Sequence, residues 1–216
     1  MRSTKSGTPE DLTARARIRD AAIRRFATDG MGAPLRAVAA DAGVSPGLIL
    51  HHFGSRAGLR AACDEHVLAE IRESKTAVLN PTGGTGAFLA QLAGVEGYAP
   101  LVGYVLRCLQ AGGQLASDLV DHLASDAVGY FAQAVEAGTM RPSRDPEGRA
   151  RLLTEQALGA LLLQLPARQE HLDLETLPAW LHGYLNRIAL PMLELLTEPL
   201  LTDATLLEAY LASRTD

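Results

Sequence analysis

The strongest hydrogen-bond donors of this 216-residue chain, its Lys and Arg side chains, are concentrated towards one end. Residues 1–60 hold ten Lys and Arg against five Asp and Glu, while residues 61–216 hold ten against twenty. A basic head on an acidic body is suited to meeting a polyanion through the head alone. The chemistry open to such donors is noncovalent: bonds to phosphate oxygens and to base edges. Covalent chemistry lacks its patterns, since no nucleophile elbow, HExxH, P-loop or dinucleotide fingerprint occurs. Gly83-Gly84-Thr85-Gly86 is Gly-rich, but no GK[ST] follows it and no strand precedes it, so it reads as a linker. His51 and His52 are adjacent, hence about 100° apart on a helix, and cannot grip one ion as an i, i+4 pair does. Cys63 and Cys108 stand apart from any metal-like spacing and read as buried thiols. No metal and no cofactor is expected.

The donors need elements to aim them, and residues 35–60 supply these. Leu35, Val38, Ala39 and Ala42 repeat at helical spacing. Gly43 can take the left-handed conformation that ends a helix. Ser45 is a good N-cap for the next helix, with Pro46 at its first position. So short a turn forces the two helices to cross steeply, as a helix-turn-helix does. The latter helix of this pair, Ser45–His51, the third in the chain, is the right size for a DNA major groove. Before this pair, Pro9 opens a helix that runs to about Asp29 and stops at Gly30. Ile18, Ala22 and Phe26 form its buried face, with five arginines around the rest. Pro34 starts the second helix, and Ser55 caps a fourth that reaches about Val78. Val44, Ile49, Phe53 and Leu59 complete a small core with Phe26.

The remainder reads as helix after helix, near 85–93, 99–111, 114–137, 145–165, 174–197 and 204–213. The hydrophobic fraction is 47% but aromatics are only 5%, so Leu and Ala must fill the core, which favours helix over sheet. The fold class is therefore all-α. Asn80-Pro-Thr-Gly-Gly-Thr-Gly86 is the clearest break and reads as a domain boundary. Gly138 ends one helix, and Pro191 should kink another. Met1–Glu10 has no apolar stretch, and the longest apolar run, Leu158–Leu163, is too short to span a bilayer. A cytoplasmic protein with no membrane partner is expected.

Three stretches, in this order and spacing, carry a family resemblance: Ile18-Arg-Asp-Ala-Ala-Ile-Arg-Arg-Phe-Ala-Thr-Asp-Gly30, Arg36-Ala-Val-Ala-Ala-Asp-Ala-Gly-Val-Ser45 and His52-Phe-Gly-Ser-Arg-Ala-Gly-Leu59. The chain resembles the tetracycline-repressor (TetR) family over about residues 12–65. The resemblance implies an α-helical homodimer: a three-helix helix-turn-helix head over 9–60 and a helical-bundle ligand-binding and dimerisation body over 61–216. Carried over by position, Arg36 matches a DNA contact from the second helix. Ser45, Pro46, Gly47, Leu48 and His51 match the groove-facing side of the recognition helix. His52 and Arg56 match phosphate contacts. A helix N-terminus near Arg56 already favours anions, and its guanidinium adds a charge-assisted bond. The chain departs from the pattern in three places. Leu50 stands where relatives usually have Tyr, Leu48 where the groove residue is usually polar, and Ala33-Pro34 where a capping Thr is common. Either the operator is read with more apolar contact, or affinity is modest.

In the body, an apolar effector pocket is expected between the helices near 99–111 and 114–137. Leu101, Tyr104, Val105 and Cys108 would face inward from the first, and His122 and Tyr130 from the second, beside Leu119 and Leu123. Few polar tips and no clustered Arg or Lys suit an apolar or amphipathic small molecule. Dimerisation is expected through two apolar stripes: Gln156, Gly159, Ala160 and Leu163 on one helix, and Leu181, Tyr184, Leu185 and Ile188 on the next. Gly159 and Ala160 permit close approach in a four-helix contact. The expected function is a ligand-responsive transcriptional regulator, a repressor released from a pseudo-palindromic DNA operator by a small molecule. The alternatives are a helical sensor that acts through protein partners without DNA, or a helical enzyme, for which no catalytic constellation speaks.

Overall fold

The computed structural model describes residues 9–81, 84, 86, 89–90, 94–164, 172–198 and 200–214, and helix is the only regular element among them. In chain order these are α1 (Pro9–Asp29), α2 (Leu35–Ala42), α3 (Pro46–Phe53), α4 (Arg56–Leu79), α5 (Val95–Ala111), α6 (Gly113–Glu136), α7 (Pro146–Gln164), α8 (Leu177–Thr197) and α9 (Thr205–Ser213). The helix expected over 85–93 and part of the glycine-rich break lie largely outside the described residues. α3 runs past His51 to Phe53, Pro34 caps α2 rather than opening it, and α5 begins at Val95 so that Pro100 lies inside it. Pro191 likewise lies inside α8.

The chain's local chemistry sets the head helices. Gly43 adopts φ 64°, and its N–H reaches the carbonyls of Ala39 and Ala40, which ends α2. The Ser45 hydroxyl accepts from the Leu48 N–H at 3.2 Å and starts α3. Gly54, at φ 73°, ends α3 with its N–H on the Leu50 carbonyl at 2.8 Å. The Ser55 hydroxyl then accepts from Gly58 N–H at 3.0 Å and starts α4. Each N-cap contributes about 1 kcal/mol, and together the stops and starts fix where α3 points.

Residues through Pro178 pack as one unit, and Ala179–Asp216 as a second. In the first, α1 is the hub, packing on α2, α3, α4 and α5, while α6 packs on α4, α5 and α7. One continuous apolar cluster joins Ile18, Ala22 and Phe26 of α1 to Val38 of α2 and Ile49 of α3. It continues through Leu59 and Val67 of α4 to Tyr104 and Cys108 of α5 and Leu119 and Leu123 of α6. Each large buried side chain in it contributes about 1.5–3 kcal/mol. Residue 60 falls inside α4, and the cluster passes it without a gap.

The seam between α1 and α5 is close and polar at one edge. A Cβ added at Gly103 would stand 3.0 Å from the Ala27 Cβ, so glycine lets the helices approach. Next to it, Arg107 Nε donates to the Ala27 carbonyl at 3.0 Å and a terminal nitrogen donates to the Thr28 carbonyl at 2.8 Å. These are last-turn carbonyls of α1 that lack helical partners, and a cation suits that end of the helix dipole. In the second unit, the rings of Trp180 and Tyr184 stack at 5.6 Å.

Candidate nucleic-acid interface and body cavity

Ile49 and Phe53, four residues apart, bury one side of α3 in the head core. That phase turns Pro46, Gly47, Leu50 and His51 outward, together with the cap Ser45, and all five are exposed. Arg36 is exposed on α2. Gly47 would have only the Ser45 hydroxyl, 3.8 Å away, near an added Cβ, so its backbone is open to approach. The face is small at its N-terminal end, with an imidazole and a leucine behind. It can bring main chain against bases, offer one ring nitrogen to a base edge and lay Leu50 on a thymine methyl.

Leu48 is corrected by the structure. It is half-buried and packs against the head core, so it does not lead the outward face. Leu50 takes that place at 47% exposure, a residue the motif carry-over left out although the Ile49–Phe53 spacing alone points to it. His52 is half-buried, its ring edge-on to both His51 and Phe53.

Arg56 is turned inward. A terminal nitrogen donates to the Met31 carbonyl at 2.6 Å, and the guanidinium lies 5.6 Å from the centre of the Phe26 ring. This ties the start of α4 to the α1–α2 loop. Arg25 ties α1 to α2 with two bonds to Asp41, at 2.6 and 2.7 Å, and one to Asp29 at 2.9 Å. These carboxylates, Asp41 first, raise its pKa further above an already basic value. Both arginines therefore set the orientation of the helix-turn-helix.

In the body, a cavity of about 500 Å³ opens between α4 and α5. Glu70, Ser74, Ala77 and Val78 of α4 line it, with Ala90, Gly94, and Gly97, Tyr98 and Leu101 of α5. Of the expected pocket residues only Leu101 is among them. Tyr104, Val105 and Cys108 are corrected to core. Tyr104 is fully buried, its hydroxyl donating to Asp64 at 2.6 Å; burial, then Asp64, pushes its pKa well up. Burial, with Asp64 next, also raises the Cys63 and Cys108 thiols to about 12. His122 is exposed rather than inward, because Leu119, Leu123 and Ala127 set the buried face of α6. Tyr130 is half-buried against Phe131, away from the cavity lining.

On the expected dimer stripes, Gln156, Ala160 and Leu163 of α7 are exposed and Gly159 is half-buried. On α8, Leu185 and Ile188 are half-buried. Leu181 and Tyr184 are corrected: both are buried within the single chain, so they are not free for a partner. Among the described residues no three His, Cys, Asp or Glu side chains converge as metal ligands, and no helix is long and apolar enough to cross a membrane.

Comparison with known proteins matches both parts of this architecture. A family model described as bacterial regulatory proteins of the tetR family matches residues 18–63, the helices just described. One described as a tetracyclin repressor-like C-terminal domain matches residues 96–202. The HTH-type transcriptional regulatory protein RaaS of Mycobacterium tuberculosis is 48% identical over 202 residues, spanning 94% of this chain and 93% of that protein. Among solved structures, GusR of Salmonella enterica is 24% identical, with 85% of this chain and 100% of that chain covered and a TM-score of 0.52. SmeT, the repressor of the Stenotrophomonas maltophilia multidrug efflux pump SmeDEF, is 20% identical, with 80% and 89% covered and a TM-score of 0.51. These two likenesses show a shared fold. An outward recognition helix on a three-helix head, a helical body behind it and a relative of this identity over nearly the whole length together place the chain in the TetR family, as a DNA-binding transcriptional regulator.

Proposed function

We propose that this regulator is a cytoplasmic homodimeric repressor. Its two heads bind a pseudo-palindromic operator, and an apolar or amphipathic small molecule in the α4–α5 cavity releases them. The observation that carries this reading is that one helix serves both places. α4 starts at Arg56, three residues past the recognition helix and bonded to Met31 of the α1–α2 loop, and its later turns carry Glu70, Ser74, Ala77 and Val78 to the cavity. At 1.5 Å per residue such a helix is roughly 36 Å long, and a packed helix moves as a rod. A ligand that prefers one position of its far end shifts the population of head positions at the near end. Head spacing matters because half-sites lie about one DNA turn, ~34 Å, apart.

Among the described residues the lining is mostly small and apolar, with Glu70 as its one charged group and no Lys or Arg. Such a wall disfavours an anion and suits a neutral amphipath. Arg36, Ser45, Pro46, Gly47, Leu50 and His51 supply the groove-side face, with His52 and the positioning arginine Arg56 behind it. The α7 face of Gln156, Gly159, Ala160 and Leu163 supports pairing of subunits, with Leu185 and Ile188 of α8.

The test uses DNA from upstream of the chain's own coding sequence in a mobility-shift assay, with fatty alcohols as first probes. Gly97→Leu places a side chain at the cavity, where an added Cβ meets nothing within 4 Å. It should keep operator affinity and lose the alcohols' ability to raise the melting temperature and release DNA. A variant that still responds with unchanged affinity would show that the effector binds elsewhere.

A further inference from the structure

The outward face of α3 is poor in hydrogen-bonding side chains. The helix is Pro46-Gly-Leu-Ile-Leu-His-His-Phe53, with none of the Arg, Lys, Asn or Gln that bond a purine edge bidentately. Pro46 lacks an N–H and Gly47 lacks a side chain. The Ser45 hydroxyl is held as the cap, accepting from the Leu48 N–H at 3.2 Å. His52 is half-buried, its ring against His51 and Phe53. One imidazole, that of His51, is left for a base edge. Leu50 is the large apolar side chain of this face, 47% exposed while Ile49 beside it is wholly buried. It shares its side of the helix with Pro46 and Gly47, four and three residues earlier. Those two are small, and a Cβ added at Gly47 meets only the Ser45 hydroxyl. This side of the helix is therefore able to settle close to base edges, and Leu50 goes in with it.

We propose that Leu50 is a specificity-determining residue of α3 and that it recognises the C5-methyl group of a pyrimidine; this rests on the groove-side reading of α3 above. That methyl is the one apolar group on a major-groove base edge. Leucine has no polar atom, so it bonds neither phosphate nor a base nitrogen, and apolar contact is what it has to give. The class of operator follows: each half-site carries a thymine under Leu50. 5-Methylcytosine presents the same methyl and satisfies Leu50 as thymine does, whereas cytosine and deoxyuridine do not. A methyl contact releases no counterion, so it carries no salt dependence of its own. Withdrawing one methyl group from water corresponds to about fourfold in affinity, and to roughly tenfold when both half-sites lose it.

The experiment starts from a duplex selected out of a randomised pool by the full chain. Each thymine of its half-sites is replaced in turn by deoxyuridine, which removes the methyl and keeps every hydrogen-bonding group. Binding is measured with wild type and with Leu50→Ala, a change at an exposed site to a strong helix former. One thymine position should cost wild type about fourfold per half-site and cost Leu50→Ala less than about twofold. There, 5-methylcytosine should bind wild type about fourfold more tightly than cytosine does, and Leu50→Ala should bind the two alike. Leu50→Ala should also lower affinity for the thymine duplex with the salt slope unchanged. If deoxyuridine is tolerated at every position, or its penalty persists in Leu50→Ala, Leu50 reads no methyl and the proposal is overturned. An altered base preference in His51→Ala would in that case leave α3 in the groove. If neither Leu50→Ala nor His51→Ala changes binding to any duplex, the groove-side reading is overturned as well.

Discussion

Arg107→Met isolates the weld between head and body. The thioether keeps much of the stem's volume, so the main loss is the guanidinium that bonds the Ala27 and Thr28 carbonyls at 3.0 and 2.8 Å. A hydrogen bond to a charged donor contributes about 1.5–3 kcal/mol. Thr28 retains a second bond, from the Leu172 N–H at 3.1 Å, so the cost there falls at the low end. The guanidinium is half-buried, and water can reach part of it once the bonds are gone. A net loss of about 2 kcal/mol is therefore expected. For a chain of this size that lowers Tm by about 4–8 °C, and at an m-value near 2 kcal/mol/M it moves the urea midpoint by about 1 M. Urea titration followed by far-ultraviolet circular dichroism measures it. Arg107→Lys retains a charge beside the α1 C-terminus and should recover about half of the loss. If Arg107→Met costs less than about 0.5 kcal/mol, the α1–α5 seam is held by packing alone and the reasoning fails.

His51→Ala should change which base is preferred at one operator position by about 1 kcal/mol, with little change in salt dependence; a parallel loss on every duplex would mean that His51 contacts only backbone. Gly159→Arg should sediment as a monomer, because the new side chain occupies a face meant for close helix approach; a dimer of wild-type affinity would remove α7 from the interface. The raised Cys63 and Cys108 pKa values make stability constant below about pH 9, the thiols' ordinary value, and let it fall as pH climbs towards 12. Both thiols should accordingly resist iodoacetamide at pH 8 in the native chain and react once urea is added. Rapid native alkylation would contradict their burial.

The head was legible because its determinants are local. Gly43, Ser45, Pro46, Gly54 and Ser55 each act within four residues, so the turn, both caps and the outward face of α3 follow from order alone. Ile18, Ala22 and Phe26 announced the α1 core face in the same way. The body was less legible because its arrangement depends on which helix meets which. Tyr104 and Cys108 share a face, and that spacing fits a cavity wall as well as a core. What decides is α1, some eighty residues earlier, filling the space before them. His122 is a different kind of miss. Leu119, Leu123 and Ala127 fix the phase of α6, and His122 stands one position off it. Arg56 is expected at a phosphate by resemblance, but its bond to Met31, like that of Arg107 to the end of α1, joins residues distant in sequence and so does not show in spacing.

The unbroken core has a practical meaning for anyone who wishes to build hybrid regulators from this protein. A head lifted at residue 60 would leave Leu59 and Val67 on opposite sides of the cut and strip α1 of its seat at Gly103 and Arg107. A transplant that keeps this protein's operator choice but borrows another sensor body must bring the α5 seam along with the head, or rebuild it. The recognition face is the opposite case. Pro46, Gly47, Leu50 and His51 touch little of the interior, so operator preference can be rewritten there with the sensing machinery left as it is.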